Sequence, residues 1–273
     1  MSASRHSLLH TREVSLKYTI WPGGATPLLC FHGFGQDHSV FMPVSEALKE
    51  THTLYSFDLP FHGESKWHAG DHALQPADWH KVLQKFLAEE NLENFEVLGY
   101  SMGGKYAMIT AQLFPDRISH LRLLAPDGIT THFSYRYSHV FFPFRGILKA
   151  QIKKPTLFRG MVSISRTFRL QDNYTLKFAE NQMDTEFKRS QVYHSWVALR
   201  LFMPDLEKVV KAVQAPHSQL SFYLGIHDKI INKKEVKPLM ERVPHHQLIE
   251  LDSGHSKLME VVSGFLKEKN QPV

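Results

Sequence analysis

The ten residues Phe95-Glu96-Val97-Leu98-Gly99-Tyr100-Ser101-Met102-Gly103-Gly104 have the types and spacing best suited to chemistry in this chain. A short apolar strand runs into Gly-x-Ser-x-Gly, and residues 105–111 continue at once as a helical stretch. A serine at so sharp a strand-to-helix corner must adopt strained dihedrals. Side chains two residues to either side would strike neighbouring backbone, and Gly99 and Gly103 remove them. The corner lifts the Ser101 hydroxyl clear of the sheet and aims the Met102 amide beside the oxygen that gains charge during attack. The chemistry this implies is nucleophilic attack by serine on a carbonyl.

Such attack needs a base, a group to orient the base, and donors for the oxyanion. His255, in Leu251-Asp252-Ser253-Gly254-His255, follows the last expected strand and is read as the base among 18 histidines. Asp228, just after the strand before that, is read as the carboxylate that accepts the imidazole Nδ1 proton. Asp127, at the end of strand 121–125, is its main rival. Asp252 is nearer in sequence but is expected to point the wrong way along its strand. His32-Gly33-Phe34-Gly35 follows the strand ending at Phe31. Its Phe34 amide is expected to pair with the Met102 amide as the oxyanion hole. There is neither a His-Glu-x-x-His motif nor a phosphate loop, and His245-His246 reads as solvated surface, so no metal, nucleotide or other cofactor is expected.

These residues have to be held by a regular frame. Residues 7–10 and 14–21 alternate as two antiparallel strands, closed by the turn Pro22-Gly23-Gly24. Residues 26–31 form a continuous apolar run, the pattern of a buried parallel strand. Helix 40–49, strand 53–58 and helix 77–90 follow, then the corner strand and a helix to Phe114, then strand 121–125. Later come strand 219–224, helix 233–242, strand 247–251 and helix 257–267. This alternation predicts an α/β architecture, a mostly parallel sheet with helices on both faces. Each candidate then falls at the carboxyl end of a strand, where open α/β sheets bind ligands.

Residues 129–203 break the rhythm and read as a helical insertion between core segments 1–128 and 204–273. The insertion is aromatic (Phe133, Tyr135, Tyr137, Phe141, Phe142, Phe144, Phe158, Phe168) and basic. Residues 129–190 hold eleven Lys or Arg against four Asp or Glu, a net +7 where the whole 273-residue chain is only +5. Apolar content of 42% and charged content of 22% suit a globular chain, and no apolar run is long enough for a transmembrane helix. The N-terminus leads into no signal core, and the single cysteine, Cys30, excludes an internal disulfide. A cytoplasmic location is expected, with Cys30 as a small core residue.

Taken together, these residues resemble the α/β-hydrolase fold family. The order Ser101…Asp228…His255 matches the family's nucleophile–acid–histidine order, and the likeness runs from about Ser7 to Lys267. Residues 129–203 stand where family members carry a cap. Asp58-Leu59-Pro60-Phe61-His62-Gly63-Glu64-Ser65 is similar to the family's Asp-x-x-Gly-x-Gly-x-Ser turn, with Phe61 where glycine is usual. Asn232 stands where members often have proline after the acid. A serine nucleophile fits poorly with haloalkane dehalogenases and epoxide hydrolases, which need a carboxylate there. The resemblance implies a capped esterase or lipase that forms an acyl-enzyme on a small ester with an apolar acyl chain, a lipid ester or thioester included. The basic cap could also meet an anionic membrane peripherally; no nucleic-acid partner is expected. Two other readings stay open: a carbon–carbon bond hydrolase or lyase acting on a small anionic substrate, and a non-enzymatic ligand-binding protein on the same fold.

Overall fold

The computed structural model of the chain describes residues 4–130, 145–169 and 173–270. Nine strands form one sheet: β1 (Arg5–His10), β2 (Val14–Trp21), β3 (Thr26–Phe31), β4 (His52–Phe57), β5 (Lys66–Trp67), β6 (Phe95–Tyr100), β7 (Ile118–Leu124), β8 (Gln219–Gly225) and β9 (Gln247–Leu251). Their order is β1-β2-β4-β3-β6-β7-β8-β9, with β5 pairing against β2. From β4 onward through β9 every neighbour is parallel, whereas β1, β2 and β5 are joined antiparallel. The central strands are apolar on both faces because helices cover both: Leu28, Leu29, Cys30 and Phe31 are all fully buried in β3.

Among the described residues the helices are α1 (Met42–Leu48), α2 (Pro76–Glu89), α3 (Gly103–Leu113), α4 (Arg145–Lys153), α5 (Thr156–Thr167), α6 (Asn173–Met183), α7 (Glu186–Leu199), α8 (Leu206–Val213), α9 (Lys233–Met240) and α10 (Leu258–Lys269). α2 shows why such segments are helical. Trp79, Val82, Leu83, Phe86 and Leu87 recur on one face and are buried, Pro76 opens the first turn, and Gln75 and Asp78 cap it reciprocally. α3 is buried from Gly103 to Ala111, Lys105 included, because it lies against β3, β6 and β7 under α2 and α8. α1 and α10 pack together, α1 against β4 and α10 against β8 and β9.

Element boundaries shift from the sequence expectation where end effects compete with periodicity. The β1–β2 connection is the Thr11–Val14 turn, so Pro22-Gly23-Gly24 instead leads from β2 toward β3. A 3₁₀ turn, His38–Phe41, precedes α1 and makes up the start of the helix expected at 40–49. β7 begins at Ile118, three residues before the expected strand, and the short β5 and α8 were not anticipated. α8 was legible: Asp205 caps its N-terminus, and Val209, Ala212 and Val213 form a buried face.

Between β7 and α8 the chain leaves the sheet and forms α4–α7, the described part of the insertion. Phe133, Tyr135, Tyr137, Phe141, Phe142 and Phe144 lie outside the described residues. The inserted helices are tied to the core at named points. Gln191 Nε2 donates to the Phe61 carbonyl at 2.8 Å, and the Leu74 amide donates to the Ala198 carbonyl at 2.8 Å. His194 stacks on Phe61 with ring centroids 5.8 Å apart. Cys30 is buried in the core, where burial pushes its thiol pKa up. Among the described residues no helix is long and apolar enough to cross a membrane.

Candidate active site

Ser101 stands at the β6–α3 corner in the left-handed region, with φ of +51°. An L-residue pays for that conformation, and the surrounding bonds hold it there. The Ser101 amide donates to the Leu124 carbonyl at 2.9 Å, and its carbonyl accepts the amides of Gly104 at 2.8 Å and Asp127 at 2.9 Å. The flanking glycines are sterically forced. A Cβ on Gly103 would lie 1.9 Å from the Phe31 carbonyl oxygen, and one on Gly99 would lie 2.6 Å from the Ala107 Cβ. Both distances are far inside contact, so no other residue fits the corner.

His255 comes from the turn between β9 and α10, 154 residues further along the chain, yet its Nε2 lies 3.1 Å from Ser101 Oγ. Its Nδ1 lies 2.7 Å from Asp228 Oδ2. An ionised carboxylate can only accept, so Nδ1 carries the proton and Nε2 presents a lone pair to the serine hydroxyl. The other Asp228 oxygen accepts the amides of Ile230 at 2.8 Å and Ile231 at 2.9 Å. The Asp228 side chain is fully buried, so its position is set by these partners. Asn232 caps α9 through its side chain, a role that proline could not fill.

The competing carboxylates are engaged elsewhere. Asp127 Oδ2 lies 2.9 Å from the Nζ of fully buried Lys105. Asp252 Oδ1 lies 2.9 Å from His227 Nε2 at an exposed position. Of the three aspartates weighed from sequence, Asp228 is the one at His255.

The loop after β3 runs directly against the serine: a Cβ on Gly33 would come within 3.3 Å of the Ser101 Cβ. Gln36 Oε1 accepts the Gly33 amide at 3.0 Å. His32 braces this loop. Its Nδ1–H donates to the Gly33 carbonyl at 2.7 Å, which leaves Nε2 to accept the Leu59 amide at 3.0 Å. Only the neutral imidazole can do both. Burial, reinforced by the neighbouring His62, holds the His32 pKa down at about 3. Among the described residues, the amides of Phe34 and Met102 donate to no other group.

Sequence reasoning missed two contributors. Tyr100, the residue between Gly99 and Ser101, donates its hydroxyl to the His255 carbonyl at 2.6 Å, with the two rings 5.5 Å apart. Its side chain alternates to the face opposite Gly99, which was a usable signal. His62 is buried and presents its ring edge-on to Phe34, 5.1 Å between centroids, and burial lowers its pKa to about 4. Its Nδ1–H donates to the Pro60 carbonyl at 3.0 Å.

Asp37, His38 and Asp58 bring possible ligand atoms within 4.8 Å of one another. Several of their donors and acceptors are used internally: Asp37 Oδ1 accepts the Ser39 amide at 2.9 Å and its hydroxyl at 2.5 Å. Asp58 Oδ1 accepts both the amide and the Nδ1–H of His38 at 2.8 Å, and Oδ2 accepts the Glu64 amide at 2.9 Å. Burial works against ionisation of Asp58, yet these bonds hold its pKa at about 2. These bonds join the loops after β3 and β4.

The buried histidines set an acid limit on stability. His32, His62 and, on the sheet, His120 are kept neutral chiefly by burial, with pKa values near 3 to 4 against 6.5 when unfolded. Below pH 6.5 the unfolded chain therefore binds more protons than the folded one. Their contribution is complete above pH 6.5 and is lost as pH falls toward 4. His38, whose pKa is raised by Asp58, titrates in the opposite sense but is one group against three. The melting temperature should fall steadily between pH 6.5 and 4 in scanning calorimetry; a flat profile over that window would contradict this account.

The chain is similar to known proteins in sequence and in fold. The family model described as alpha/beta hydrolase fold matches residues 26–260. A dihydrolipoyllysine-residue acetyltransferase component of an acetoin cleaving system from Cupriavidus necator is 30% identical over 128 residues, 46% of this chain and 33% of that protein. A pimeloyl-[acyl-carrier protein] methyl ester esterase from Legionella pneumophila is 33% identical over 100 residues, 36% of this chain and 37% of that protein. The chain thus spans about a third of the length of these curated relatives. A thermophilic esterase from Thermogutta terrifontis superposes with a TM-score of 0.68 at 19% identity, covering 97% of each chain.

Proposed function

Because the chain belongs to the alpha/beta hydrolase fold family, we propose that it is a serine hydrolase that cleaves a carboxylic ester or thioester through Ser101, His255 and Asp228. One observation carries the reading: an unbroken hydrogen-bond chain from Ser101 Oγ through His255 to Asp228. It is supported by the strained serine and by the fully buried Asp228, whose two oxygens are held by His255 and by the Ile230 and Ile231 amides. The similar esterases add support for the bond class. The described insertion helices α4–α7 serve as a cap beside this site, with Gln182 of α6 near Gly35 and Gln191 of α7 bonded to the Phe61 carbonyl.

The mechanism follows from the protonation states. As Ser101 Oγ forms a bond to the carbonyl carbon, its proton passes to His255 Nε2, and Asp228 stabilises the imidazolium without taking the proton. The carbonyl oxygen becomes an oxyanion that accepts the Phe34 and Met102 amides. When the tetrahedral intermediate collapses, His255 returns the proton to the departing alkoxide or thiolate, leaving an acyl-Ser101. Water then gives a proton to His255, attacks the acyl carbon and releases the acid, and Ser101 recovers its hydrogen. Tyr100 holds the backbone of His255 and so keeps the imidazole at the right height.

A series of p-nitrophenyl esters from acetyl to palmitoyl tests the reading. Saturable turnover with a chain-length optimum is expected, together with fluorophosphonate labelling of Ser101. Labelling without turnover on any chain length would sink the ester reading and favour carbon–carbon bond cleavage; no labelling would remove the nucleophile altogether.

A further inference from the structure

α5 carries an apolar face that nothing in the described structure covers. Leu157, Met161 and Ile164 of α5 and Phe168 at its C-cap fall at i, i+4, i+7 and i+11, which places them in one line along the helix. They are 53, 68, 55 and 70% exposed. Gly160 lies within this stretch, and a Cβ built on it would meet no atom within 4 Å. The opposite side holds the helix in place: Val162 is buried, and Arg166 pairs with Glu180 of α6 at 2.9 Å. The stripe is therefore not a failed core contact, since α5 already has a buried side.

Charge indicates what the stripe meets. From residue 128 to 169 the chain contains no Asp or Glu, and residues 145–169 hold seven Lys or Arg. Lys153 and Lys154 precede the stripe, and Arg169 follows it; all three are exposed. A second copy of the chain would bring one cationic face against another, so this surface opposes self-association. A line of large apolar side chains on a 12-residue helix bordered by cations matches a helix lying in a lipid interface. We propose that α5 docks flat on an anionic bilayer, with the stripe in the acyl boundary and the flanking lysines and Arg169 among the headgroups. The insertion would then draw a lipid ester from that surface, a step that rests on the hydrolase reading; the docking itself does not.

Flotation of the full chain with phosphatidylcholine vesicles, with and without phosphatidylglycerol, tests the docking. Binding is expected only to the anionic vesicles and should be lost in about 0.5 M NaCl, where the screening length is a few ångströms. The double substitution Met161→Glu/Phe168→Glu should reduce bound protein at least about tenfold. It should leave turnover of a soluble short-chain ester and the melting temperature unchanged. Lys153→Glu/Lys154→Glu leaves the stripe intact and should abolish the preference for phosphatidylglycerol. The proposal is overturned if the wild-type chain ignores anionic vesicles, if both double variants float like the wild type, or if sedimentation shows a dimer that Met161→Glu/Phe168→Glu dissociates. Vesicle binding without turnover of any soluble ester would leave the docking standing and remove the hydrolase reading alone.

Discussion

Replacement of Ser101 by alanine is expected to lower kcat on any ester the chain cleaves by about 10⁴- to 10⁶-fold, with KM and melting temperature nearly unchanged. The proposed nucleophile is a terminal hydroxyl whose loss removes one hydrogen bond, to His255 Nε2 at 3.1 Å, and leaves the backbone corner as it was. His255→Ala should be comparably damaging, because an unassisted serine hydroxyl is a poor nucleophile near neutral pH. The double variant should be little worse than either single one, since both residues act in the same step. Steady-state kinetics on the preferred p-nitrophenyl ester, with burst-phase measurement for acyl-enzyme, reads all three. If His255→Ala retains turnover within about tenfold of wild type, the base lies elsewhere.

The second large effect separates two aspartates that sequence alone could not. Asp228→Asn should lower kcat by about 10³- to 10⁴-fold. An amide at that position can present NH₂ to Nδ1, which would turn the imidazole to the tautomer with its proton on Nε2, facing the serine. The fold should tolerate this change, because the remaining amide oxygen can still accept the Ile230 and Ile231 amides. Asp127→Asn should do the reverse. It leaves His255 untouched but strips the counter-charge from Lys105, whose side chain is fully buried. Breaking a buried pair from one side costs on the order of 3 kcal/mol, so the melting temperature should fall by several degrees while kcat changes little. Thermal melts and kinetics on the two variants form one comparison. A severe kcat loss in Asp127→Asn, with a mild one in Asp228→Asn, would exchange their roles.

Much of this site was legible along the chain because its parts are local. The corner at Ser101 is written in five residues: Gly99 is needed against Gly103 and Ala107 in the same turn, although Gly103 is needed against Phe31 of the neighbouring strand β3. His255 and Asp228 could be picked out because each follows a recognisable apolar strand. The helices and strands of the core were read from period alone, with errors of a few residues where a 3₁₀ turn or a short edge strand intervened. Tyr100 could have been read as facing away from Gly99, but its use as a brace for His255 depends on a segment 155 residues away.

Residue types and their spacing determined the layered α/β frame and singled out the proposed nucleophile, because strand period, turn sterics and side-chain chemistry act over a few residues. Tertiary structure alone decided which aspartate stands at His255, that His32 is a neutral strut rather than a reactive group, and that three apolar side chains of α5 and Phe168 at its C-cap lie open beside a cationic border. Those outcomes depend on distances between segments scores of residues apart in the chain. Such distances are set by packing of the whole sheet and its helices, a sum over many contacts that no local pattern contains.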